Sequence, residues 1–260
     1  MPEIRKFLAF DTSTDRMSIA LTDGVRVWQH SGAGGAQASA TLIPAILALL
    51  ADAGLALGQL DAIAFGRGPG SFTGLRTACA VAQGLAFGAN GGAGIPVLPI
   101  DTLMAVAEEA RFQRHQAAGN PPGASSILRV TALLDARMDE MYVQRYEFRG
   151  DACAPLGDCE LVRPENLVLE PGAGLWVGNV FGVYADRLPM GLASLTRLEA
   201  LPTATAMLRL APALAAAGYC VDAAGALPIY VRDKVALTTD ERAEVKARAA
   251  LAALSAANSA

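Results

Sequence analysis

Gly66-Arg67-Gly68-Pro69-Gly70-Ser71-Phe72-Thr73-Gly74-Leu75-Arg76 follows the apolar run Ala62 to Phe65 and leads into a stretch without charge from Thr77 to Phe87. The apolar run reads as a buried strand and the uncharged stretch as a helix beginning near Leu75. Between them, glycines allow close backbone approach, and amides at a helix start can receive an oxyanion. No Gly-Lys-Ser/Thr closes the loop, so it is not a Walker loop, and its spacing misses Gly-x-Gly-x-x-Gly. It is too long and specialised for a plain strand-to-helix connection. A buried strand, such a loop and a helix point to an α/β chain.

The helix after the loop carries Ala78, Ala82 and Ala86 on one stripe and Thr77, Val81 and Gly84 on another. A helix apolar all round is covered on both sides, by the sheet and by a second helix or another chain. Before the loop, Ile4 to Phe10, Met17 to Thr22 and Val25 to His30 read as an antiparallel meander. Leu42, Ile43, Ile46, Leu49 and Leu50 then recur at helical spacing, and Ile95 to Ile100 reads as a further strand. The order predicts a mixed sheet whose parallel part is covered by helices.

The pattern then repeats. Thr102 to Gln116 reads as a helix, Ile127 to Asp135, Met141 to Phe148 and Cys159 to Val162 as strands, and Gly119 to Ser126 as a loop. Pro164 to Leu169 reads as a short helix, Leu175 to Val177 as a strand and Thr203 to Ala217 as a helix. The expected divisions are residues 1–105, residues 106–225, and a tail at 226–260 whose Ala-rich end, Glu241 to Ala260, is a frayed helix or disordered.

The 260 residues carry 21 basic and 25 acidic side chains, a net charge of −4, and 53% are hydrophobic. That is enough chain for a large core, which excludes disorder and a disulfide-dependent scaffold. No block of Lys and Arg suits phosphate binding, so any nucleic acid is held through a partner. The charge-free stretches Ser31 to Ala51 and Thr77 to Ile100 are interrupted by Pro44, or by Gln83, Asn90 and glycines, and neither reads as a membrane span. Phe7 to Phe10 stops at Asp11, too short for a signal peptide, which makes the cytoplasm the expected compartment. Cys79, Cys153, Cys159 and Cys220 form no Cys-x-x-Cys pair, and His30 and His115 form no His-x-x-x-His, so free thiols and no metal site are expected.

Three further motifs could carry chemistry. Asp11-Thr12-Ser13-Thr14 ends the first strand, where a carboxylate could hold a hydrated metal and hydroxyls could contact a phosphate, or where they simply cap a turn. Asp135-Ala136-Arg137-Met138-Asp139-Glu140 takes the same place in the second half, as a charged or merely solvated turn. Val177-Gly178-Asn179-Val180-Phe181-Gly182 is a strand end running into glycine, which suits a nucleotide or a plain turn.

These blocks, with the late Pro228-Ile229-Tyr230-Val231-Arg232, resemble the bacterial TsaB proteins, also called YeaZ, over residues 4 to about 235. The resemblance implies an α/β, actin-like ATPase fold (ASKHA, ribonuclease H-like) of two similar lobes, each a mixed sheet flanked by helices. It also implies a non-catalytic subunit, with no catalytic residue of its own, of the machinery that makes threonylcarbamoyladenosine beside the tRNA anticodon. The partners implied are a TsaD-like transferase and a TsaE-like ATPase, with tRNA met only through the complex, no membrane, and a homodimer as a state of the chain alone.

The implied partner interface is Leu42, Ile43, Ile46 and Leu49 of one helix with Leu75, Thr77, Ala78, Val81 and Ala82 of the next. Asp11, Thr12, Ser13, Gly68, Gly70, Ser71, Thr73, Gly74, Arg76, Asp135 and Arg137 form a vestigial phosphate turn and glycine loop. No cofactor is expected to bind tightly, and ATP or ADP only weakly, at that vestigial site or at an interface. Ala38 stands where family members often have His. A rival reading is an actin-fold small-molecule kinase, with Asp11 positioning a metal, the glycine loops holding ATP and Asp135 as base. Against it, Ser13 replaces the glycine of an active phosphate turn. A glycopeptidase would need a metal or nucleophile that the sequence does not offer.

Overall fold

The computed structural model describes residues 5–119, 127–170 and 174–232. A compact unit extends to Tyr230, and of the second unit, which starts at Val231, the first two residues are described. The tail from Glu241, expected as a frayed helix or disordered, therefore lies outside the described residues, as does most of the loop expected up to Ser126.

The first sheet is built from β1 (Phe7–Asp11), β2 (Arg16–Thr22), β3 (Val27–Ala33), β4 (Ala62–Gly68) and β5 (Val97–Asp101), in the order β3-β2-β1-β4-β5. The β1, β2 and β3 strands are antiparallel neighbours; β4 joins β1 in parallel, and β5 joins β4 in parallel. The second sheet contains β6 (Ile127–Arg137), β7 (Glu140–Arg149), β8 (Ala152–Pro155), β9 (Glu160–Val162), β10 (Leu175–Gly178) and β11 (Arg197–Glu199). Its order is β11-β10-β6-β7-β8, with β9 also on β7. Here β6, β7 and β8 are antiparallel neighbours, while β10 and β11 run parallel to β6. Strand for strand this repeats the first sheet. Asp11 and Asp135 thus lie at equivalent strand ends, as do Gly68 and Gly178.

The helices are α1 (Ala38–Ala53), α2 (Phe72–Gly88), α3 (Thr102–Ala118) and α4 (Ala204–Ala216). Leu8 and Phe10 of β1 and Ile63 and Phe65 of β4 pack with Leu42 and Ile46 of α1 and Ala78 and Ala82 of α2 in one core. The opposite face of the sheet meets α4, which packs in turn on α3, and α3 packs on β6 and β10 of the second sheet. Beyond that sheet, Leu133, Met141, Trp176, Tyr184 and Leu192 form a second core.

Four differences from the sequence reading have local causes. The α1 helix starts at Ala38, because the Gly-Ala-Gln turn before it already coils. Likewise α2 starts at Phe72, so half of the glycine loop is helix. The largely exposed strands β8 and β11, four and three residues long, are too short to display the alternation that marks a half-buried strand. The helix expected at Pro164 to Leu169 is a single 3-10 turn, Pro164–Asn166.

Candidate functional site

The acidic turn and the glycine loop meet, and each closes the other. The β1 strand is buried along its whole length, and it ends at Asp11 with the carboxylate turned away from solvent. Asp11 Oδ1 accepts the Ser13 amide at 2.9 Å and the Ser13 hydroxyl at 2.6 Å. Its Oδ2 is buried and meets no donor among the described residues. A β-carbon on Gly66 would collide with that oxygen, and the Met207 side chain of α4 closes the same side. Burial pushes the Asp11 carboxyl up to about 6, against the two Ser13 hydrogen bonds that hold it down.

The Thr12 hydroxyl donates to the Gly74 carbonyl at 2.7 Å, and the Ser71 amide donates to the Ser13 carbonyl at 2.7 Å. Gly74 lies on the Thr12 carbonyl with no room for a side chain. The glycines therefore serve a packed junction between turn and loop. Asp11, Thr12 and Ser13 are all buried, so none offers solvent the groups that a hydrated metal or phosphate would need.

A strap after α4 locks the loop from outside. The Ile229 amide donates to the Arg67 carbonyl, Arg67 pairs with Asp101 at 2.5 Å, and the Gly68 α-carbon faces the Ile229 carbonyl. Gly68 has φ +122°, which only glycine adopts without strain. Arg76 stacks 3.8 Å over Phe72 and donates to the Tyr230 hydroxyl. Deeper along α2, the Ala226 carbonyl accepts from both Cys79 Sγ and Gln83 Nε2 at 2.9 Å. Ser71 and Thr73 are exposed at the helix start.

The second turn is filled in a different way. Asp135 Oδ1 accepts the Arg137 amide and the Tyr184 hydroxyl, Oδ2 pairs with Arg137, and the Asp135 amide donates to Asn179 Oδ1. Burial, then the Asp135 carboxylate, raise the Tyr184 phenol above its ordinary range. Arg137, Met138 and Asp139 all have positive φ, a costly run for side-chain-bearing residues. Arg187 braces it, bonding Asp139 and Glu165 at 2.6 Å each. Gly178 touches the Leu133 backbone, so the glycines of the fourth motif begin with sheet packing. No group of His, Cys, Asp and Glu suited to a metal occurs among the described residues.

The sequence reading missed the polar link between α3 and α4. Glu108, 1% exposed, takes Arg111 at 2.6 Å and Arg209 of α4 at 2.8 Å. Beside it, Glu109 accepts from Gln113, Arg209 and Thr203. Burial pushes the Glu109 carboxyl upward, but these donors outweigh it and hold it below its usual range. Charges at 108, 109 and 111 directly after the apolar run Leu103 to Ala107 were the available signal.

On the helix pair, Leu42, Ile46, Leu49, Leu75, Ala78 and Ala82 are interior, so those expected interface residues cannot themselves meet a partner. Ile43 is exposed, and Thr77 and Val81 are half-buried. The outward stripe is Ala40, Ile43, Leu47 and Ala51 on α1 with Ala80, Gly84 and Phe87 on α2, none of them charged. Leu47 is 50% exposed and Phe87 70%. All four cysteines are free, and burial raises the Cys159 thiol to about 12. Among the described residues no helix is long and apolar enough to cross a membrane.

Comparison with known proteins agrees with this architecture. Residues 34–248 match the family model described as TsaD, tRNA N6-adenosine threonylcarbamoyltransferase. The tRNA threonylcarbamoyladenosine biosynthesis protein TsaB of Haemophilus influenzae is 36% identical over 238 residues, covering 88% of this chain and 94% of that protein. Its Escherichia coli counterpart is 32% identical, covering 89% and 96%. The solved structure of YeaZ from Pseudomonas aeruginosa superposes with a TM-score of 0.73 at 36% identity, over 87% of this chain and all of that one.

Proposed function

Because the chain belongs to the TsaB (YeaZ) family, we propose that it serves threonylcarbamoyladenosine formation in tRNA as a cytoplasmic, non-catalytic subunit that docks a TsaD-like transferase, with a TsaE-like ATPase as further partner. The observation that carries the reading is the uncharged outward stripe of α1 and α2. An apolar face built of small residues with Leu47 and Phe87 standing proud suits a helical partner, since interface cores are depleted in charge and enriched in aromatics. A catalytic role has less support. The Asp11 carboxylate is sealed beneath Gly66 and Met207, and Asp135 is taken up by Tyr184 and Arg137.

Co-expression with the TsaD homologue of the same cell tests the reading. A stable complex that restores the modified base in cells lacking this chain is the expected result. Metal-dependent phosphorylation of a small molecule by the chain alone, abolished by Asp11→Ala, would overturn it.

A further inference from the structure

The two faces of the first sheet are covered differently. Leu8 and Phe10 turn to α1 and α2 in the first core, so strand alternation turns Phe7 to the other face, where α4 packs with α3 behind it. Between that face and these two helices lies a cavity of about 930 Å³, within the roughly 300–1,000 Å³ of small-molecule sites. No residue of the acidic turn, the glycine loop or the outward stripe lines it.

The lining combines apolar surface with fixed charge. Phe7 and Leu208 are buried there, and Phe112 of α3 and Val27 of β3 add further apolar surface. An apolar body entering such a concavity releases the water held against it. Among the described residues, the charged ones lining the cavity are Arg5, Glu109 and Arg209, two cations against one anion. Glu109 is already satisfied, because it accepts from Gln113, Arg209 and Thr203. Arg209 is not. Its Cζ lies 4.0 Å over the Phe112 ring, its Nε donates to Glu108 and its Nη2 to Glu109, each at 2.8 Å, and Nη1 meets no acceptor among the described residues. A guanidinium held by a ring and two carboxylates, with one nitrogen left over, is a preorganised receptor for a further anion.

We propose that this cavity binds a small amphipathic organic anion, a carboxylate carried on an apolar chain or ring, with the carboxylate at Arg209 Nη1 and Arg5 and the apolar body along Phe7, Val27, Phe112 and Leu208. The excess of positive charge disfavours a cationic ligand. The apolar walls disfavour a polyphosphate, whose several charges would lose water with too few partners to replace it. The site lies across the sheet from α1 and α2, so it is independent of the proposed docking to a transferase.

Isothermal titration calorimetry of the full chain with decanoate tests the site, and decylamine supplies the same apolar body with a cationic head. Decanoate should bind saturably at a single site, and decylamine about tenfold more weakly or worse. Two variants place the ligand. Arg5→Glu reverses one of the two cations, and Val27→Glu, at a position 57% exposed, brings a carboxylate to the lining. Each should weaken decanoate binding about tenfold or more, while circular dichroism shows the fold intact. Absence of saturable binding, equal binding of decylamine, or variants that bind decanoate as the parent does would overturn the proposal. Should one variant fail to fold, the other decides alone.

Discussion

Gly70 lies against Ser13 so closely that a β-carbon on the glycine would stand 2.6 Å from that of the serine. The contact joins the glycine loop to the turn after β1. The serine backbone there is already committed to the Ser71 amide and the Asp11 carboxylate, so it cannot retreat. Gly70→Ala is expected to destabilise the fold by about 1–3 kcal/mol, the range for overpacking a filled site. Urea unfolding measures it, and a variant as stable as the parent would show that the loop can give way.

The Asp11 carboxyl gives stability a definite pH dependence. Its folded value of about 6 lies above the ordinary carboxylate value of 3.8. The folded state therefore holds the proton more tightly, and the group's contribution is fully present at low pH and lost as pH rises through about 6. Asp11→Asn keeps an acceptor for Ser13 and abolishes the charge. Its stability relative to the parent should improve by up to about 3 kcal/mol between pH 4 and pH 8. Melting curves across that range check it, and a flat difference would mean the carboxylate finds a donor.

Two neighbouring alanines of α2 are expected to behave differently. Ala82 is fully buried in the first core, whereas Ala80 faces out. Ala82→Arg buries an unpaired charge and should cost several kcal/mol, which prevents stable folding. Ala80→Arg should leave stability within about 0.5 kcal/mol while abolishing capture of the TsaD homologue. Circular dichroism read beside a pull-down separates the two. Normal capture by Ala80→Arg would remove α2 from the docking face.

Glu108 is the buried anion between Arg111 and Arg209. Glu108→Gln leaves the two guanidiniums together with no carboxylate at that position, and a loss of about 3–5 kcal/mol is expected, as for breaking a buried pair. Denaturant titration measures it. A small loss would show that Glu109 and Asp151 take over both cations.

The strands with strong signals were legible: Phe7 to Phe10, Ala62 to Phe65 and Ile95 to Ile100 are apolar runs bounded by polar or glycine residues, and the repeat in the second half followed from the same signals. The phase of α2 was not. With alanine, glycine and threonine at about half of its positions, periodicity carries little contrast, so residues of both stripes were offered to the partner although Ala78 and Ala82 are buried. The acidic turn misled for a related reason. Asp-Thr-Ser after a strand suits a phosphate, and only the pairing of β1 with β4, which sets Gly66 over Asp11, shows that the oxygen is sealed. Tyr184 and Arg187, which hold the second turn, lie more than forty residues from it and left no local trace.

The strap has a consequence for how the chain is made. Val221 completes the edge of β5, Ala226 fills a place in the core beside Cys79 and Gln83, and Tyr230 stacks on Phe72. A ribosome delivers Ala226 some 147 residues after Cys79, at a synthesis rate of about 5–20 residues per second. For most of that interval of roughly seven to thirty seconds the nascent first half has every one of its strands and helices but carries an open slot along α2. Its last piece of interior arrives only after the second half has been made.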